Sequence, residues 1–432
     1  MSLLIRHWAF VFLYSIFAHR FIFLALCSLL FTLCSPLSSQ VKIGAEVFLE
    51  KNISLVEGKR VGVLCNSASI VFSENKNLVD VLLGKKINIT AIFSPEHGFR
   101  NNISAGEKIS HQTDSATGIP IFSLYGKTVK PTKEMLAQID VFIFDLQDVG
   151  ARYFTYASTM ANAMEACAEY NKQFILLDRP NPIGGNEVEG FLLEDSLKSF
   201  VGKFPIPNRH GLTLGEFAQM IVGEKWIANS EQLDLQIFSC DNLTRKMYWS
   251  DTKLSWKSPS PNIISATTAL VYAGTCLIEG TNVSEGRGAA FPFQTIGAPW
   301  VDGNALFAEI KKEYSIAAQF IQPIKFTPVV IPGKVTAPKF LNMQCGGIKI
   351  EVADSLKNTY SSLQVAVTIL IALKKIYPDS LHFNTKQFDR LAGTSQLRTA
   401  IDGGKSFEEI LSMWKSDVEK FIAMRKKYLL YK

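Results

Sequence analysis

Between residues 60 and 177 the chain alternates compact apolar runs with segments of helical periodicity. Residues 60–65 (RVGVLC), 87–93, 119–124, 140–146 (DVFIFDL) and 174–177 read as buried strands. Residues 75–83, 132–137 and 153–170 read as helices between them. Strands spaced by helices predict right-handed β-α-β units and a parallel sheet, an α/β architecture of Rossmann-like type. No G-x-G-x-x-G follows the first strand, so nothing asks for a dinucleotide.

The first forty residues break this pattern. They hold Arg6 and Arg20, no acidic residue, and a nearly unbroken apolar stretch over 21–33, followed by Ser35-Pro36-Leu37-Ser38-Ser39. The stretch is short for a membrane span, and the arrangement is that of a signal peptide cleaved somewhere around Ser35 to Gln40. The expectation is an exported chain, periplasmic or secreted. The competing reading is an uncleaved amino-terminal anchor, drawing on a second apolar run over 8–17.

Charge and cysteine usage narrow the partners. Of 432 residues, 45 are Lys or Arg and 39 are Asp or Glu; without Arg6 and Arg20 the balance is 43 to 39. That mild excess, with no basic patch interleaved with aromatics, excludes a nucleic-acid partner. Cys65, Cys167, Cys240, Cys276 and Cys345 follow the leader with no C-x-x-C pair, which suits buried thiols and not a zinc site or disulfide framework. No metal and no cofactor is implied.

Candidate chemistry gathers just past the strands, where ligands bind in a parallel α/β sheet. Ser94-Pro95-Glu96-His97-Gly98 follows 87–93, Gln147-Asp148-Val149-Gly150-Ala151-Arg152 follows 140–146, and Asp178-Arg179-Pro180-Asn181 follows 174–177. Glu96, Asp148 and Asp178 therefore share one rim, with Arg152 and Arg179 among them. A functional site competes here with an Asp–Arg lattice that stiffens the loops, a reading that suits Asp178 and Arg179. Arg209-His210-Gly211 leads into a helix with Thr213 and Glu216 as a capping box; His210 is a ligand contact or a hydrogen-bonded structural His. The stretch 279–288 sets Glu279, Asn282, Glu285 and Arg287 among glycines, a loop whose backbone must approach something closely. It lacks the P-loop Lys, and Ser73 of the S-x-x-K match reads as a helix cap. With no G-x-S-x-G and no H-E-x-x-H, serine hydrolase and metalloprotease readings lose support, whereas paired carboxylates suit glycoside hydrolysis.

In this order, FSPEHGFR, AGE, FSLYG, DLQDVGARYFTY, LDRPNPIGG, PIPNRHGLTLGE, PSPN, EGTNVSEGRG, PF and GAPW resemble the NamZ family of exo-β-N-acetylmuramidases, over essentially the whole chain from Ile43. The resemblance implies release of N-acetylmuramic acid from the non-reducing end of peptidoglycan-derived muropeptides or disaccharides, with no stable partner protein. It also implies a Rossmann-like domain, here 41–265, joined to a smaller C-terminal α+β domain, 266–432, that completes an active-site cleft. Carried over residue by residue, it makes Glu96 the leading acid, with Glu285 or Asp148 as its partner. The candidate substrate contacts are His97, Tyr125, Arg152, Arg179, Asn181, Arg209, His210, Asn282 and Arg287. A planar guanidinium suits the lactyl carboxylate of muramic acid, with Arg152 and Arg287 first and Arg209 behind them. The chain departs from the family pattern at Asn101-Asn102 after FR and at Ala289-Ala290 after GRG. The alternative function is a non-catalytic muropeptide-binding or sensing protein that uses the same cleft. Retaining, inverting and substrate-assisted routes all remain open.

Overall fold

The computed structural model describes residues 40–99 and 112–432. The leader and its cleavage region, except Gln40, lie outside these residues. Residues 41–432 form one compact unit.

The first half contributes β1 (Val61–Cys65), β2 (Ile70–Val71), β3 (Lys76–Asn77), β4 (Ile89–Ser94), β5 (Gln112–Thr113), β6 (Pro120–Ser123), β7 (Val141–Asp145), β8 (Gln173–Leu177) and β9 (Leu235–Phe238). Its helices are α1 (Gly44–Lys51), α2 (Leu78–Gly84), α3 (Lys133–Leu136), α4 (Tyr156–Glu169) and α5 (Leu214–Gly223). Seven strands make one sheet in the order β5-β6-β4-β1-β7-β8-β9, parallel throughout except for β5 against β6. Numbered along the chain, the six parallel strands run 3-2-1-4-5-6, the doubly wound order. The order reverses between β1 and β7, which opens a crevice past their carboxyl ends.

Alternation along the strands supplies both faces of this sheet. Phe142, Phe144, Phe174 and Leu176 point into one apolar layer, and Val141, Ile143, Ile175 and Leu177 into the other. Gly62 in β1 leaves room on the first face: a Cβ there would stand 2.9 Å from the Phe93 ring. Phe93, Phe142 and Phe174 pack successively across it at 4.7 and 5.4 Å.

The same layer continues without a break into the second half. There β10 (Thr295–Ala298), β12 (Cys345–Ile350) and β11 (Ile321–Phe326) form an antiparallel sheet beside α6 (Ala266–Thr275), α7 (Gly303–Glu313) and the buried α8 (Ser362–Ile376). Gly274 lets α6 and α8 meet backbone to backbone, since a Cβ there would lie 1.9 Å from the Ser362 carbonyl oxygen. Helices α9 (Thr385–Ala392), α10 (Gln396–Asp402), α11 (Phe407–Met413) and α12 (Lys415–Arg425) follow, and the tail returns to the first half. Arg425 donates to the carbonyls of Gly185, His210 and Gly211 at 2.7–3.0 Å, and the Tyr431 hydroxyl donates to Asp178 at 2.6 Å.

Two expectations shift. The helix expected over 75–83 starts only at Leu78, because Asn75 turns left-handed (φ 50°) and the β2–β3 ladder uses 76–77. Asn77, not Ser73, caps it, its side chain accepting from Val79 N–H, while Ser73 N–H donates to Glu46. The helix expected over 153–170 starts at Tyr156, which leaves Tyr153, Phe154 and Thr155 in the loop before it. Among the described residues the five cysteines are buried and form no disulfide.

Candidate active site

The crevice holds a cavity of about 60 Å³, walled by Glu96, His97, Tyr153–Tyr156, Ser260, Ile263, Tyr272, Arg287 and Phe293. Small-molecule sites usually enclose roughly 300 Å³ or more, so these walls embrace the reacting end of a ligand, not the whole of it. At the end of β4, Gly98 N–H closes a tight turn onto the Pro95 carbonyl, with His97 and Gly98 both left-handed (φ 74° and 77°). A left-handed His is strained backbone held by its surroundings, as is common where a side chain must be aimed. His97 meets the Ser260 hydroxyl through Nε2 at 3.1 Å.

The half-buried Glu96 carboxylate accepts from the Thr155 hydroxyl at 3.1 Å, at the entrance to α4. The Tyr125 phenol lies near Glu96, and it is pushed upward first by burial and then by that carboxylate. Tyr156 leans on the same region; its hydroxyl accepts from Asn66 at 2.8 Å and donates to the Pro259 carbonyl at 2.5 Å. Tyr153, Phe154, Tyr272 and Phe293 complete an aromatic wall of edge-to-face contacts.

Across the cavity stands Arg287, stacked over Phe293 at 5.0 Å. Its Nη2 pairs with Glu279 at 2.6 Å and its Nε lies 3.4 Å from Glu285. Nη1 has no hydrogen-bond partner among the described residues. The buried Glu285 carboxylate lies between Arg287 and Lys339, 3.1 Å from the latter, and does not line the cavity.

Residues 61–267 match the N-terminal family of exo-β-N-acetylmuramidase NamZ, and residues 270–431 match its C-terminal family. Over 394 residues the chain is 39% identical to the peptidoglycan β-N-acetylmuramidase NamZ of Bacillus subtilis strain 168, covering 91% of this chain and 92% of that one. The chain belongs to the NamZ family. Two crystal structures of DUF1343-family proteins from Bacteroides fragilis superpose with TM-scores of 0.80 and 0.76, at 34% and 38% identity, each covering 91% of this chain and 99% of the other. The cavity draws on both NamZ segments: Glu96 and Tyr156 come from the first, Arg287 and Phe293 from the second.

Of the residues singled out in the NamZ motifs, the structure brings Glu96, His97, Tyr125 and Arg287 together. Others are engaged elsewhere. Arg152 is buried, its guanidinium donating to the carbonyls of Phe191, Ile206 and Leu391 at 2.8 Å, so it does not reach the cavity. Arg209 pairs with Glu189 at 2.6 Å, and Arg179 forks onto Asp145 at 2.5 and 2.8 Å. Asn181 bridges Leu212 and Ile183, and Asn282 brackets Ser380 and His382. His210 accepts from Leu212 N–H through Nδ1, and burial pushes it down to about 3, so it is neutral where it stands 3.9 Å from Asp148. Asp148 accepts from Gly150 N–H at 2.7 Å, and burial pushes it up to about 7. It does not line the cavity, though its charge, like that of Glu96, adds to burial in pushing the Tyr156 phenol upward. The expected pairing of Glu96 with Glu285 across the cleft therefore gives way to one carboxylate facing the cavity among the described residues. The AGE motif and Asn101-Asn102 lie outside those residues.

Sequence reasoning passed over the aromatic wall. Tyr272 was hidden in an apolar run, although its hydroxyl was a signal there; Phe293 has φ 63°, invisible in sequence.

Proposed function

We propose that this chain is an exported exo-acting glycoside hydrolase that releases N-acetylmuramic acid from the non-reducing end of peptidoglycan fragments. The observation that carries the reading is Glu96, a half-buried carboxylate held by the Thr155 hydroxyl and facing an aromatic-walled cavity in a NamZ chain. A protonated Glu96 donates to the leaving glycosidic oxygen as the bond to the anomeric carbon breaks. Aromatic faces suit the apolar side of a pyranose, and the open Nη1 of Arg287 suits the lactyl carboxylate that distinguishes muramic acid from N-acetylglucosamine.

No second carboxylate faces Glu96 among the described residues, which supports attack by the sugar's own N-acetyl oxygen on the anomeric carbon. Water then opens the cyclic intermediate, giving its proton back to Glu96. The test is NMR of the first-formed product from a β-linked muramic acid disaccharide. β-Muramic acid is expected; the α anomer would overturn the N-acetyl route, and absence of release would leave the binding or sensing reading. Export rests on the leader composition, and amino-terminal sequencing of the mature chain should begin between about Ser35 and Gln40.

A further inference from the structure

A second cavity shares no residue with the reaction chamber. It measures about 660 Å³, inside the roughly 300–1,000 Å³ typical of small-molecule sites. Four segments build it: 187–189 of the first half, Tyr314 just past α7, the turn into α8 around 358–364, and the α11–α12 pair. Its apolar surface comes from Val188, Tyr314, Leu411, Trp414 and Val418. The aromatic rings are fixed, Tyr314 stacking on Phe407 at 4.6 Å and Trp414 meeting Phe191 edge-on at 5.4 Å.

The polar groups fall into two sets. Glu187, Glu408 and Glu419 stand exposed at the rim; Lys415 is the one cation among the described lining residues, and Arg425 is also in charge range of Glu187. Glu189 also reaches the cavity, but it is already held by Arg209, the Ser361 hydroxyl and Leu363 N–H. The second set is one group. Tyr360 lines the cavity, is 2% exposed, and its hydroxyl has no hydrogen-bond partner among the described residues. Phe320 holds its ring edge-on at 5.0 Å, and burial followed by Glu189 keeps the phenol protonated, hence a donor. A buried donor without an acceptor costs free energy that a bound acceptor would recover.

Acceptor, alkyl body and cation are three parts of one ligand. We propose that this cavity binds a short peptide bearing a primary ammonium on an alkyl side chain. A backbone carbonyl accepts from Tyr360, the alkyl chain lies along Leu411, Trp414 and Val418, and the ammonium sits among Glu187, Glu408 and Glu419. Aromatic faces beside the carboxylates add attraction for the cation. The site goes beyond the muramidase reading and stands or falls without it.

Calorimetric titration of the mature chain with Nα-acetyl-L-lysine amide tests this, with the Nε-acetylated compound as the neutral control. The expected dissociation constant is on the order of 1 mM for a ligand of this size. Acetylating the ammonium should weaken binding about tenfold or more, and Tyr360→Phe and Glu408→Gln/Glu419→Gln should each weaken it about two- to fivefold. Both variants should keep wild-type turnover of muramic acid glycosides, which separates failure here from failure of the hydrolase reading. Equal binding of the neutral control, wild-type affinity in both variants, or no heat at ten times the expected constant would each overturn the proposal.

Discussion

Two acids stand at the same level of one sheet and meet opposite fates. Glu96, past β4, receives the Thr155 hydroxyl, sits near the Tyr125 phenol, and faces open volume. Asp178, past β8, receives the Thr213 and Tyr431 hydroxyls and Gly215 N–H at 2.6–2.8 Å, and faces only protein. Its neighbour Arg179 is taken by Asp145. The partners of Asp178 come from the head of α5 and from the last residues of the chain, so the β8 rim is a latch for the carboxyl-terminal tail. A place past a strand end gives both acids the same opportunity; what the rest of the chain brings to each decides between chemistry and structure.

Four substitutions break or sharpen that contrast. The largest effect falls on Glu96: Glu96→Gln should lower turnover of a natural disaccharide by roughly 10²–10⁴-fold while the thermal midpoint stays at the wild-type value. Arg179→Met should do the reverse. It leaves Asp145 buried without its partner, so urea unfolding should show a loss of about 3–5 kcal/mol, with turnover per folded molecule nearly unchanged. A large activity loss in folded Arg179→Met would erase the distinction between the two rims.

Asp148 sharpens the comparison through pH. Burial holds it up to about 7, above the roughly 3.9 of an unfolded chain. The folded state then carries the extra proton, so this group's contribution to stability falls as pH rises from about 4 to 7 and is level above that. His210, pushed down to about 3 by burial, acts oppositely: its contribution rises between about 3 and 6.5. Asp148→Asn removes only the first, so its stability relative to wild type should climb by roughly 1–3 kcal/mol up to pH 7 and then level off. A difference independent of pH would show that Asp148 is not protonated in the folded chain. The smallest effect belongs to Arg287→Lys, which should cut the preference for muramic acid over N-acetylglucosamine glycosides about tenfold. Unchanged preference would place the selectivity elsewhere.

Much of the architecture was legible because strand burial writes itself into apolar runs. DVFIFDL and FILL gave β7 and β8 within a residue or two, and the loops past them gave the rim. The half-exposed β9, with Leu235, Gln236 and Ile237 only partly covered, left no comparable run. The fates of the arginines were not legible at all. Arg152 binds carbonyls 39, 54 and 239 positions away, and no local spacing announces such partners. Tyr153, Phe154 and Thr155 continued a helical pattern yet form the cavity floor. Asp178 and Arg179 were the exception, since Asp-Arg beside Pro read equally well as lattice, and lattice is what the contacts show.

The central claim is that Glu96 gives its proton to the leaving oxygen, and the leaving group itself can test it. Turnover of Glu96→Gln should be compared on a muramic acid disaccharide, whose sugar alkoxide must be protonated to depart, and on a nitrophenyl glycoside, whose phenolate leaves unaided. The account predicts a deficit of roughly 10²-fold or more on the disaccharide that shrinks to within about tenfold on the nitrophenyl substrate. An equal deficit on both would contradict it, and would move Glu96 from proton donor to some other part in the reaction.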